Sequence, residues 1–271
     1  MKKRLDVILT EKGYFDSREK AQASIMAGLV FIKGQRCDKA GTKFDEDIEP
    51  EVRGSECPYV SRGGFKLEKA IKVFDIDLKG KHCIDIGAST GGFTDCMLQN
   101  GAEKVYSVDV GTNQLAWSLR SDPRVVCMEK LNFRYIEEDT IPEKLDFACC
   151  DVSFISIKHI LPNARMLLKD DACAAFLIKP QFEAGREQVG KNGIIKDPKV
   201  HRSVIENALN YAREAGFYIS GLDFSPVKGA KGNIEFLMYL TCTDQGFVPD
   251  IDAVVGSAEE LNSSEADKEK E

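Results

Sequence analysis

Between His82 and Thr241 the chain alternates short apolar runs with amphipathic stretches, and this alternation restricts its fold more than any other feature. Strand-like runs fall at His82 to Ile86, Lys104 to Asp109, Val125 to Met128, Leu145 to Val152, Ala172 to Ile178, Tyr218 to Phe224 and Ile234 to Thr241. Helical spacing recurs at Phe93 to Gln99, Ile157 to Leu168 and Lys199 to Ala215. Strand and helix alternating in this way predict an α/β domain with a doubly wound, largely parallel sheet. Ligands of such sheets bind beyond the carboxyl ends of the strands, where the strand order reverses.

The first of those ends reads CIDIGASTGGFTD. Small residues from Gly87 to Gly92 allow a ligand to approach the backbone closely, and the helix that follows presents unpaired N–H groups. The spacing is not that of a dinucleotide fingerprint, and an acid, Asp85, lies inside the preceding strand. Asp109 ends the next strand, about 20 residues after the glycines, where a carboxylate can accept both hydroxyls of a ribose. Nicotinamide dinucleotides and S-adenosylmethionine share that ribose, so Asp109 alone does not choose between them.

The whole string from Asp85 to Asp95 resembles motif I of the class I S-adenosylmethionine-dependent methyltransferases, in the branch of the FtsJ-type ribose 2′-O-methyltransferases. The resemblance implies S-adenosyl-L-methionine as cofactor, held by Asp85, Gly87, Ala88, Ser89, Thr90, Gly91, Phe93, Asp109 and Asp151. It also implies a Rossmann-like sheet whose last strand is antiparallel. Glu235, at the start of that strand, would then share a rim with Asp151 of CCDVSFIS and Lys179 of FLIKPQFEAG. Lys66, in SRGGFKL, would enter from the helix before the first strand, with Gly63 and Gly64 as a hinge.

Lys66, Asp151, Lys179 and Glu235 resemble the K-D-K-E arrangement of the FtsJ-like enzymes. A ribose hydroxyl is a poor nucleophile at neutral pH and needs a partner that orients it or removes its proton. A lysine beside a second lysine and a cationic cofactor is expected to have a depressed pKa, which suits it as a base. The resemblance places Lys179 at the 2′-hydroxyl, Asp151 as its orienting partner, and Lys66 with Glu235 completing the network. Glu235 could instead pair with Lys228 or Lys231.

Other chemistries would leave other marks. Amino-methylating enzymes of this fold favour an N-P-P-Y or D-P-P-Y tetrapeptide where this chain has Asp151-Val152-Ser153-Phe154. Cysteine-dependent base methylation needs a thiol at the pocket, and Cys149 and Cys150 fall within a strand. Nine cysteines without a C-x-x-C pair read as reduced core residues. His82, His159 and His201 lack ligand spacing, so no metal is expected. Arg186 and Lys191 lie in a glycine-punctuated loop that reads as a lid, an RNA contact or plain surface.

The first 45 residues form a separate unit in the pattern. Leu5, Ile8 and Leu9 share a helical face, Ser17 can cap a second helix through Ala21, Ile25 and Met26, and Leu29 to Ile32 reads as a strand. The residues Arg4-Leu5-Asp6, Ser17 to Ala21, and Gly28 to Gly34 resemble an S4 RNA-binding domain, a small α+β fold. Arg4, Arg18, Lys20, Lys33 and Arg36, with Arg62 beyond, are the candidate RNA contacts. The net charge of −7 does not oppose this. Residues 248–271 hold eight acids against two lysines, while residues 1–44 hold ten basic residues against five acids. A local excess of this kind suits a polyanionic partner.

The expected organisation is an S4-like domain at 1–60, a methyltransferase domain at 61–247 and an acidic disordered tail at 248–271, with a further strand around Ile48 to Val52. No run of 18 apolar residues occurs, and the start of the chain has only the short cluster Val7-Ile8-Leu9. Neither a membrane span nor a secretory signal is expected, and the location expected is cytoplasmic.

Together these motifs resemble the TlyA family, also known as hemolysin A. The resemblance implies 2′-O-methylation of cytidine in the 23S and, for some members, the 16S ribosomal RNA. Its partners would be ribosomal RNA or ribosomal subunits, with no membrane and no obligate protein partner. The rival readings are a pore-forming cytolysin, a pseudouridine synthase or a non-catalytic RNA-binding protein. Lack of a spanning segment weighs against the first, and the foreign context of Arg4-Leu5-Asp6 against the second. The four polar residues weigh against the third.

Overall fold

The structure is a computed structural model that describes residues 2–26, 28–53, 57–229 and 232–268. The N-terminal unit contains β1 (Lys2–Arg4), α1 (Leu5–Glu11), α2 (Arg18–Met26), β2 (Val30–Ile32), β3 (Gln35–Cys37), β4 (Lys43–Asp45) and β5 (Pro50–Val52). Strands β1 and β4 pair antiparallel, and β3-β2-β5 form a second small antiparallel sheet. Leu5, Leu9, Phe15, Ala21, Ile25, Val30 and Ile32 make its core. The strand expected around Ile48 to Val52 is β5.

The larger unit begins with α3 (Gly63–Phe74), followed by β6 (His82–Ile86), α4 (Gly92–Gln99), β7 (Lys104–Asp109), α5 (Trp117–Arg120) and β8 (Val125–Glu129). It continues through β9 (Leu145–Cys150), α6 (Leu161–Leu167), β10 (Leu168–Ile178), α7 (Pro180–Glu183), α8 (Pro198–Glu214), β11 (Tyr218–Phe224), β12 (Phe236–Thr241) and α9 (Ile251–Lys268). The sheet order is β11-β12-β10-β9-β6-β7-β8. From β8 to β10 neighbouring strands are parallel, and β12 is antiparallel to both β10 and β11. This is the class I methyltransferase arrangement, with a hydrophobic cluster on each face of the sheet.

The chain runs from β6 outward to β7 and β8, then returns to place β9 on the other side of β6. That reversal opens a crevice between Gly87 and Asp151, at the ends of β6 and β9. Several local boundaries differ from the sequence pattern: β9 stops at Cys150, short of Val152, and β12 starts at Phe236, so Glu235 directly precedes the strand. The helix expected from Ile157 to Leu168 divides into a 3₁₀ turn at Ile157–His159 and α6, whose start carries Pro162. Strand β10 starts at Leu168, ahead of Ala172, and carries a register shift before Cys173.

The disordered tail expected from residue 248 is corrected by α9. Ile251, Val254, Val255 and Ala258 recur at helical spacing and pack against the core beside α8 and β11. Val255 and Ala258 are buried. Asp252 pairs with Arg202, and Glu259 lies 3.3 Å from Nδ1 of buried His201. The polar composition concealed a narrow apolar stripe that is stable only against a partner surface. Residues 269–271 of that expected tail lie outside the described residues.

Candidate active site

The crevice is built by close backbone contact. Gly87 has φ of +86°, and a Cβ there would lie 3.0 Å from the carbonyl oxygen of Asp151. Only glycine combines that backbone conformation with that proximity. A second contact sets the position of α3. A Cβ on Gly64 would fall 2.3 Å from the Tyr59 ring, and one on Gly92 would fall 2.4 Å from Ser61 Oγ and 2.9 Å from the Gly64 nitrogen. Gly64 is therefore a packed contact between the starts of α3 and α4, not the hinge expected of it.

This packing delivers Lys66 into the crevice. Its Nζ donates to Glu235 Oε2 at 2.6 Å and to Asp151 Oδ2 at 3.1 Å. Lys179, at the end of β10, pairs with Asp151 Oδ1 and donates to Ser153 Oγ at 3.0 Å. The four residues form a continuous chain, Glu235–Lys66–Asp151–Lys179. Lys66, Lys179 and Glu235 are 6%, 8% and 2% exposed, so each charge relies on its partner in place of water. Glu235 thus pairs with Lys66; Lys231, an alternative partner, lies outside the described residues.

The surrounding acids keep Lys66 charged. Burial lowers its pKa, but the carboxylates of Asp151 and Glu235 outweigh burial and leave it raised. It is a fixed ammonium, not a base. Burial likewise acts to raise Asp151, yet the ammonium groups of Lys66 and Lys179 bring it down to about 2. Asp85 has no cationic neighbour among its principal influences. Burial pushes it up to about 7, against hydrogen bonds from the backbone and hydroxyl of Thr94 and with Asp151 and Asp109 adding to the rise.

Two adjoining cavities meet at this chain. One, of about 360 Å³, is lined by Lys66, Asp85, Asp151 and Lys179, by Ala88, Thr90 and Phe93, and by Arg62. Met26 and Asp38 of the small domain also reach it. The other, of about 500 Å³, is lined by Asp109, Val110, Gln114, Leu131, Asn132 and Phe133 on one side and by Val152, Phe154 and Ile155 on the other. Gly87, Ser89, Asp151 and Ser153 border both. Asp109 accepts the Ser89 N–H at 2.8 Å on one oxygen and the Gly111 N–H at 2.7 Å on the other. Each oxygen keeps a lone pair for a hydroxyl. Gly91 serves packing, since a Cβ there would meet the Leu119 side chain at 2.3 Å.

Sequence reasoning assigned nothing to Gln114, Leu131, Asn132 or Phe133. The run Lys130-Leu131-Asn132-Phe133 follows β8 at the same rim where Asp109 ends β7, and that parallel was the available signal. Phe154 was also missed; it is 91% exposed with φ of +65°, beside the Phe182 ring at 5.0 Å. Cys149 and Cys150 are fully buried, and burial pushes both thiols up, as core residues require.

The candidate RNA contacts have mixed surroundings. Arg4 and Arg18 both bond the carboxylate of Asp6, a fully buried acid that also accepts from Gln22 at 2.6 Å. They hold the small domain together while remaining half exposed. Lys20 pairs with Asp16 at 3.1 Å. Lys33 and Arg36 are exposed on the β2–β3 ribbon, and Arg62 is half-buried at the first cavity.

Known proteins resemble this chain in both of its units. The FtsJ-like methyltransferase family model matches residues 59–242, and the S4 domain model matches residues 3–47. A Bacillus subtilis (strain 168) protein that carries the provisional name rRNA methyltransferase YqxC is 53% identical over 246 residues, covering 90% of this chain and 88% of the relative. The 16S/23S rRNA (cytidine-2′-O)-methyltransferase TlyA of Mycobacterium tuberculosis (strain CDC 1551 / Oshkosh) is 41% identical over 244 residues, covering 89% and 91%. A solved structure from Streptococcus thermophilus, provisionally described as a hemolysin, is 48% identical, with a TM-score of 0.80 and 98% of both chains covered. With its S4 domain, its class I sheet and these relatives, the chain belongs to the TlyA/hemolysin A family of FtsJ-like methyltransferases.

Proposed function

We propose that this protein methylates the 2′-hydroxyl of cytidine in ribosomal RNA, with the 23S RNA as the principal substrate and the 16S RNA as a second. The observation that carries the reading is the chain Glu235–Lys66–Asp151–Lys179 at the junction of two cavities. The names of its relatives support ribosomal RNA and cytidine as the substrate.

The larger cavity fits S-adenosylmethionine. Asp109 offers paired acceptors to a ribose, Leu131 and Phe133 offer apolar walls to an adenine, and Asp151, at the border with the smaller cavity, and Asp85, inside that cavity, offer negative charge to a cationic centre. The cofactor supplies an electrophilic methyl group on a sulfonium sulfur. The smaller cavity takes the acceptor ribose, with Arg62 at its wall. Lys179 contacts the acceptor hydroxyl and takes part in moving its proton, and Asp151 with Ser153 holds Lys179 in line. Lys66 stays charged and neutralises Asp151 and Glu235, so these acids do not compete for that proton. Lys20, Lys33 and Arg36 supply phosphate contacts in the small domain.

The Streptococcus thermophilus relative carries a hemolysin description. No helix among the described residues is long and apolar enough to cross a membrane. Incubation with tritiated S-adenosylmethionine and unmodified ribosomal RNA or subunits, followed by nucleotide mapping, tests the proposal. The expected label is ribose-linked on cytidine; label confined to a base, or none at all, refutes it.

A further inference from the structure

The loop after β9 and the segment after β10 leave adjacent parallel strands side by side. They are joined at successive points along their length. Lys179 contacts Asp151 and Ser153, the Phe182 ring meets Phe154 at 5.0 Å, and Glu183 closes the series. Glu183 Oε2 accepts from Ser156 Oγ at 2.6 Å, and its Oε1 accepts from the Ile157 backbone N–H at 2.8 Å. Glu183 itself touches neither cavity lining, yet both of its bonds go to the loop that lines them.

That loop needs an external fastening. Phe154, in its middle, has φ of +65°, a region that an aromatic side chain disfavours. Such a conformation persists only where its surroundings over-determine it. Upstream, Asp151 N–H is fixed to the Ile86 carbonyl. Downstream, the two bonds to Glu183 supply the other anchor, just before the 3₁₀ turn at Ile157–His159. Burial raises the Glu183 carboxyl while the bonds from Ser156 and Ile157 act to lower it, so the clasp rests on two acceptor positions at this place and not on charge alone.

We propose that Glu183 is a positioning residue: by clasping Ser156 and Ile157 it holds the 151–157 loop so that Asp151 and Ser153 face Lys179 and Phe154 stands at the cavity mouth. The kinetic consequence rests on the methyl-transfer reading, whereas the structural consequence does not. Glu183→Ala frees the loop, while Glu183→Gln keeps one acceptor for the Ile157 N–H and offers its amide to Ser156 Oγ. In the full-length chain, Glu183→Ala is expected to lower kcat for RNA methylation by about 10- to 100-fold. S-adenosylmethionine affinity should stay within about twofold, and melting should shift by less than about 5 °C. Glu183→Gln should recover most of kcat. Amide hydrogen exchange at residues 155–157 should accelerate in Glu183→Ala and remain unchanged in β6 and β7.

Unchanged exchange at 155–157 in Glu183→Ala overturns the proposal. So does a joint fall of kcat, cofactor affinity and melting temperature without recovery in Glu183→Gln, which marks general destabilisation. If the wild-type protein methylates no RNA, the functional reading fails, and the exchange measurement still decides the role of Glu183.

Discussion

Lys66 and Glu235 lie 169 residues apart in the chain and meet at 2.6 Å. Both are almost fully buried, and the same ammonium also reaches Asp151. Removing one member of a buried pair leaves an uncompensated charge, at a cost of about 3–5 kcal/mol. Lys66→Met should therefore lower thermal stability clearly, by several degrees in a melting experiment, and Lys66→Met with Glu235→Gln should lower it less. Equal losses in the single and double variants would deny the coupling.

Lys179 has a different task in the same chain. Lys179→Ala should lower kcat by about 10²- to 10⁴-fold, the range for a positioned proton acceptor. Cofactor affinity, measured by calorimetry, should change less than kcat, because Lys179 lies outside the larger cavity that would hold the ribose and adenine. Full activity in Lys179→Ala would remove it from the mechanism.

Asp85 should make cofactor binding depend on pH. Burial raises its carboxyl to about 7, so near neutrality it is partly protonated. A cationic ligand favours the ionised form, and binding should then release a proton. Affinity for S-adenosylmethionine is expected to rise between about pH 6 and 8, and Asp85→Asn should flatten the profile. Calorimetry in buffers of different ionisation enthalpy reads the released proton directly. Folding stability has the opposite sign: a carboxyl with a raised pKa in the folded state loses stability as pH rises from its unfolded value toward about 7.

Asp6 should govern the small domain. Burial alone would raise its pKa, but hydrogen bonds from Arg4, Gln22 and Arg18 hold it well below the usual carboxylate range. The stability it contributes is present above the unfolded value near 4 and is lost as pH falls through the folded value. Because Arg4 and Arg18 are half exposed, Asp6→Asn is expected to cost only about 1–3 kcal/mol. RNA affinity and its salt dependence should fall while cofactor binding persists. Unaltered RNA binding would separate Asp6 from that surface.

Truncation after Asp250 tests α9. Loss of Val255 and Ala258 uncovers apolar surface beside α8 and β11, and melting should drop by at least several degrees. A disordered tail would leave melting unchanged.

Much of this molecule was legible because its signals are local. Alternation of strand and helix, the small residues after β6 and the acid ending β7 each depend on neighbours a few positions away. They disclosed the sheet and the crevice, while the cofactor followed only from the resemblance to motif I. Asp151 and Lys179 were accessible for the same reason, since each ends an apolar strand. The tail was misread because its four apolar positions are diluted among acids, and the stripe has meaning only against α8.

By itself the sequence determined the order of strands and helices, the glycine turn that admits a ligand, and the residue types available at each strand end. Those properties follow from backbone sterics and from periodic burial. Tertiary structure alone decided that Lys66 is a fixed ammonium between two acids, that Arg4 and Arg18 converge on Asp6, and that Glu183 fastens the loop bearing Phe154. Charge state and hydrogen-bond partnership depend on distance and on exclusion of water, and both are set only when remote segments pack together.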